Sequence, residues 1–205
     1  MNVLRIQSIR VAAAAGIILP PPLPLLDERI QLRPFRAVVD RLLAMNPVAA
    51  AAYGFDRTAA KSWLQNQHLE PAVTAAEAQF LENGSGHKQQ FRLQVEGMWV
   101  LAWAVGLVGR IDFWKDCDSR FVTQLPKLKV GQSGASWYER ARMRGSDEIL
   151  AACDLAYCLH WAVRQSEIEG LKPPAGLKQY IVIERRRALE WLSGDDAWSE
   201  ITLDT

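Results

Sequence analysis

The sequence predicts an all-α fold: a single compact multi-helix domain, residues 1–205, with a long irregular segment around 110–145. Three observations carry this expectation. Apolar residues recur at i, i+3, i+4 and i+7 in long stretches on both sides of that segment. Glycine, proline and serine punctuate the chain between those stretches, as helix ends require. The composition, 49% hydrophobic and 23% charged over 205 residues, suits one large globular domain, and no internal repeat, heptad array or low-complexity linker divides it.

The first element is an amphipathic helix over residues 2–15, closed near Gly16, with Pro20-Pro21-Pro22 forcing an extended exit. The same stretch also has the outline of a signal peptide, since Arg5 and Arg10 precede an apolar run from Val11 to Leu19. That run ends in prolines rather than at a small-x-small cleavage site, which favours the helix. Residues 27–53 carry Phe35, Val38, Val39, Leu42 and Leu43 at helical spacing. Pro34 and Pro47 interrupt them, so two or three helical pieces are expected. A short helix over 57–67 turns Trp63 and Leu64 inward. Pro71 opens the next, which runs through Phe80-Leu81 to Asn83-Gly84.

From His87 to Gly106 the periodicity is strongest, with Phe91, Val95, Met98, Trp99, Ala102 and Trp103 in register. Residues 110–145 should hold loops with short helical turns around Phe121 to Leu128 and Trp137 to Met143. Ser146 is a fitting N-cap for a helix to about Ser166, with Asp147 and Glu148 in its first turn. After Pro173-Pro174-Ala175-Gly176, a last long helix covers 178–192, followed by a tail with one or two turns.

Composition excludes several functions. A formal net charge of +1 offers no clustered excess of cations for a phosphate backbone. The one dense basic run, Arg185-Arg186-Arg187, points three ways on a helix. The longest apolar segment after the first helix, Met98 to Val108, is too short to span a bilayer. Cys117, Cys153 and Cys158 form no disulfide framework, which fits a reducing cytoplasm. Eight tryptophans supply large apolar faces, each indole N–H needing one acceptor.

The residues that could carry chemistry lie mostly in the last third. On the 146–166 helix, Asp147, Asp154, Cys158 and Trp161 follow one stripe, while Cys153, Ala156 and His160 share another side. Asp154, flanked by Leu150, Leu155 and Tyr157, should be buried and should seek Arg185 or Arg186. Glu96, with Trp99 and Trp103 one and two turns further on, is either a carboxylate with a raised pKa or the partner of a last-helix arginine. Glu96, Asp154, His160, Glu184 and Arg185 are thus the catalytic candidates. Glu96, Asp154, Glu184, Arg185 and Arg186 are the members of a structural polar network, which is the preferred assignment. No metal is expected, because H-x-x-x-H, H-E-x-x-H and C-x-x-C are all absent. No cofactor is expected either. Gly131-Gln132-Ser133-Gly134 lacks the Lys-Ser/Thr of a phosphate loop, and no G-x-S-x-G elbow occurs.

Several segments together resemble one family. They are Phe91…Glu96…Trp99-Val100-Leu101-Ala102-Trp103-Ala104…Gly106, then Glu148-Ile149-Leu150…Asp154-Leu155…Tyr157…His160-Trp161-Ala162, then Glu184-Arg185-Arg186…Ala188-Leu189…Trp191-Leu192, and the closing Trp198…Asp204-Thr205. With Arg5, Arg10, Gly16 and the Arg36-to-Arg41 helix, the sequence resembles the bacterial domain-of-unknown-function family numbered 4272. The resemblance implies a cytosolic helical domain and passes on no catalytic residue. Cys158 stands where the family's Tyr-Arg-x-His-Trp pattern has arginine, and Glu190 where asparagine is common.

The expected function is a cytosolic bacterial protein-interaction domain, immunity-like or an accessory partner, with neither nucleic acid nor membrane as its target. Trp114, Trp137 and Tyr138, in the irregular region, are its candidate exposed contacts. Two other functions compete with it. One is an unrecognised enzyme built on the Glu/Asp/His/Arg cluster, which would need a concave site where those groups converge. The other is a small-ligand-sensing helical module.

Overall fold

In the computed structural model, residues 3–20, 23–25, 31–86 and 88–204 are described. Expectations placed on Asn2, Pro21, Pro22, residues 27–30, His87 and Thr205 lie outside the described residues. Every regular element among the described residues is helical, and none is a strand. In chain order the helices are α1 (Val3–Ala14), α2 (Phe35–Ala52), α3 (Arg57–Asn66), α4 (Ala75–Asn83), α5 (Lys88–Leu93), α6 (Val95–Ala104), α7 (Ala135–Arg140), α8 (Ser146–Ile168) and α9 (Gln179–Leu192). The all-α expectation therefore holds. Among the described residues no helix is long and apolar enough to cross a membrane.

The chain divides into two compact units. The first comprises Met1–Leu32, Asp112–Asp116 and Arg144–Thr205; the second comprises Arg33–Ile111 and Cys117–Met143. In the first unit α8 is the central rod, with α1 and α9 packed on it. In the second, α2 holds the centre and touches α3, α4, α5, α6 and α7.

Pro47 does not break α2, contrary to the expectation of two or three pieces. A proline inside a helix costs about 3 kcal/mol. Against that, Val38, Val39, Leu42, Leu43, Met45 and Val48 are wholly enclosed. At roughly 1.5–3 kcal/mol each, their burial outweighs the proline.

Elsewhere the local chemistry sets the boundaries. Pro71 opens only a 3-10 turn, Glu70–Ala72. The helix proper restarts after Thr74, whose hydroxyl accepts the Glu77 N–H while the Glu77 carboxylate accepts the Thr74 N–H. At its end Gly84 takes φ 78°, where a Cβ would lie 2.6 Å from Arg57 Nη1. The 88–104 stretch is divided at Gln94 into α5 and α6, yet the Gln94 N–H still bonds to the Gln90 carbonyl. Gly145, not Ser146, is the N-cap of α8. The 117–143 segment holds 3-10 turns at Phe121–Gln124 and Leu128–Val130 and the short α7, much as its composition suggests.

Candidate functional site

The polar cluster of the first unit is built on α8. Asp154 and Cys158, one turn apart, face α1; His160 and Cys153 face α9. The two sides belong to one cluster because both guanidiniums approach the Tyr157 ring, Arg5 at 5.7 Å and Arg186 at 4.9 Å from its centroid.

Asp154 pairs with Arg5, not with Arg185 or Arg186. Arg5 Nε donates to both carboxylate oxygens at 3.1 Å, and Nη2 donates to Oδ1 at 2.8 Å. The side chains are 5% and 2% exposed. The same guanidinium donates to the carbonyls of Leu23 at 3.0 Å and Pro24 at 2.7 Å, so it also holds the connector that follows α1. Helical periodicity conceals this role: the buried stripe of α1 is Arg5, Ser8 and Ala12, while Val3 is exposed. An arginine on an apolar-looking helix was the only available sign.

Arg186 is used on the α9 side. Its Nε donates to Glu190 at 3.0 Å, Nη2 donates to the Asp204 carbonyl at 2.8 Å, and Nη1 donates to His160 Nδ1. Since arginine only donates, Nδ1 is the unprotonated nitrogen of a neutral imidazole. Burial, then the charge of Arg186, pushes the His160 pKa down to about 4.

Arg185 turns to the backbone, donating to the carbonyls of Asp112 and of Lys115, the latter at 2.9 Å. It thereby anchors the 112–116 segment, whose Asp116 also takes Lys178 and Tyr180. Glu184 is buried, with Arg187 Nε 3.8 Å away. Asp154, His160, Arg185 and Arg186 are each committed to a neighbour. The two buried thiols, Cys153 and Cys158, are pushed up to about 12, first by burial, and are poor nucleophiles.

In the second unit, Glu96 is buried and its Oε1 accepts the Cys117 N–H at 3.0 Å. The same unit holds a buried ion pair that helical periodicity does not reveal: Arg41 donates to both Glu77 oxygens, at 2.7 and 2.8 Å, and to the Ala72 carbonyl. Its signals were Arg41 inside an apolar helix and the Thr74-x-x-Glu77 capping box. Trp137, expected at the surface, is 3% exposed, its Nε1 bonded to the Gln124 carbonyl at 2.8 Å. Tyr138 is half-buried with its hydroxyl donated to Asp40, and Trp114, in the first unit, is half-buried.

An open hollow of about 140 Å³ in the second unit is lined by Lys61, Leu64, Glu70, Val73, Leu81 and Glu82, among others, and by none of the catalytic candidates. Ligand pockets commonly hold about 300–1,000 Å³. Among the described residues, no three of His, Cys, Asp and Glu are grouped as a metal ion would need.

No curated protein and no solved structure matches the chain. A family model described as a domain of unknown function, DUF4272, matches residues 5–201, which takes in Arg5, Asp154, His160 and Arg186. The chain belongs to the DUF4272 family.

Proposed function

We propose that this chain is a protein-interaction domain of the bacterial cytosol, immunity-like or an accessory partner, and that its polar cluster is scaffolding. The observation that carries this reading is the fully engaged Arg5–Asp154 pair. A general acid or base must reach substrate, and Asp154 spends both oxygens on a buried guanidinium. His160 presents its Nδ1 to Arg186 in the same way. The family match runs through both compact units, which supports reading residues 1–205 as one domain.

The test is affinity capture of the tagged chain from its native cell, with mass spectrometry, for wild type and Glu96→Gln. One stoichiometric partner retained by both forms is expected. Capture of no partner, together with turnover of a small molecule that Glu96→Gln abolishes, would replace the reading with an enzyme.

A further inference from the structure

The surface of the second unit is not uniform in charge. Its 117–143 segment holds Arg120, Lys127, Lys129, Arg140 and Arg142 against Asp118 and Glu139, a net +3 in a chain whose total is +1. Arg120 is paired with Asp118. The other four cations are exposed, and among the described residues no ion pair neutralises Lys127 or Lys129. Arg140 lies over the Trp137 ring at 5.0 Å; the Arg142 guanidinium donates to the carbonyls of Glu139 and Ala141, while the Arg142 N–H donates to the Val105 carbonyl at 2.9 Å. Val122 and Val130, in the same segment, are 66% and 76% exposed.

Side chains from α2, α3 and the C-cap of α3 fix this stretch. Asn46 holds the Pro126 carbonyl at 3.2 Å, Trp63 Nε1 holds that of Gln132 at 2.9 Å, and Gln67 accepts the Gly134 N–H at 2.8 Å. Gln132 Oε1 in turn accepts the Lys127 N–H, and Trp137 Nε1 ties α7 to Gln124. Phe121, Leu125, Trp137 and Ala141 are buried beneath. A segment with so little regular structure is thus held at several points, with its cations and two valines directed outward. Such pre-ordering lowers the entropy cost of binding.

We propose that the 117–143 surface docks an acidic polypeptide segment that carries aliphatic side chains, the carboxylates meeting Lys127, Lys129, Arg140 and Arg142 and the aliphatic groups covering Val122 and Val130. This rests on the interaction reading above and names its partner's chemistry. A phosphate backbone fits less well. It offers nothing to the valines, and the segment exposes no aromatic ring on which a base could stack, since Trp137 is buried and Tyr138 is held by Asp40. Charge complementarity of this kind sets orientation and association rate.

The probe is a fluorescein-labelled peptide alternating Glu with Leu, titrated by anisotropy at low and moderate salt. Comparison probes are the same peptide with Lys for Glu, an all-Glu peptide and a single-stranded oligonucleotide. Wild type and Lys127→Glu/Lys129→Glu are compared after circular dichroism and thermal melting confirm that both are folded. Wild type should prefer the Glu/Leu peptide over all three others, binding should weaken with salt, and the double variant should lose about tenfold or more. Absence of binding, equal binding by the double variant, or preference for the oligonucleotide overturns the proposal. The failure of this proposal is separable from that of the interaction reading. A cellular partner captured equally by wild type and the charge-reversed form removes this surface and leaves the reading intact.

Discussion

Replacing Asp154 by alanine should destabilise the protein severely. Arg5 would keep its bonds to the Leu23 and Pro24 carbonyls but would lose its counter-charge while 5% exposed. Removing one member of a buried ion pair costs about 3–5 kcal/mol, because the remaining charge is stranded away from water. Typical domains have only about 5–15 kcal/mol in total. For a chain of this length the expected fall in Tm is roughly 6–20 °C. Urea titration followed by tryptophan fluorescence measures it directly, since Trp161, Trp191 and Trp198 lie in the same unit as the pair. Replacing both partners, Arg5→Met with Asp154→Leu, should recover stability to within about 2 kcal/mol of wild type, the remainder reflecting the two carbonyls left without their donor. A single-variant loss below about 1 kcal/mol would refute the reasoning, for it would mean that water reaches Arg5.

Three further outcomes follow from the same geometry. His160, at about 4 when folded against an unperturbed 6.5, binds more protons unfolded than folded between those values, so stability is complete above pH 6.5 and falls as pH drops toward 4, by about 3 kcal/mol in all. Subtracting the profile of His160→Gln should isolate this slope in urea titrations at several pH values; identical profiles would show that His160 is not buried neutral. Glu77→Ala should cost about 3–5 kcal/mol for stranding Arg41, and about 1 kcal/mol more for the lost capping box, whereas Thr74→Ala should cost only the latter; equal melting points for the two variants would contradict this. At pH 8 a thiol reagent should label Cys117 in the native chain and all three cysteines in denaturant, while rapid native labelling of Cys153 or Cys158 would show that α8 opens.

The helices were largely legible because burial of an apolar stripe needs only local spacing. Their interruptions were less so. Pro47 was overridden by burial on α2, and Pro71 was overruled by the capping box at Thr74. At the candidate site, periodicity places Asp154 and His160 on different sides of α8 and makes Asp154 look enclosed. It could not choose the arginine of Asp154. Arg185 and Arg186 are near Asp154 in sequence, yet Arg5, 149 residues away, takes it, because α1 packs on α8. An irregular neighbourhood suggests a surface position for Trp137, but a six-residue helix still buries an indole whose N–H finds the Gln124 carbonyl. Short elements carry too few residues for a stripe to declare itself.

The most direct test of a structural cluster in an interaction domain is partner capture by the Arg5→Met/Asp154→Leu form, measured beside wild type once both are shown to unfold cooperatively. The folded double variant should retain the same stoichiometric partner. A variant that folds normally but loses the partner would place the Arg5–Asp154 pair in the working site and contradict the account.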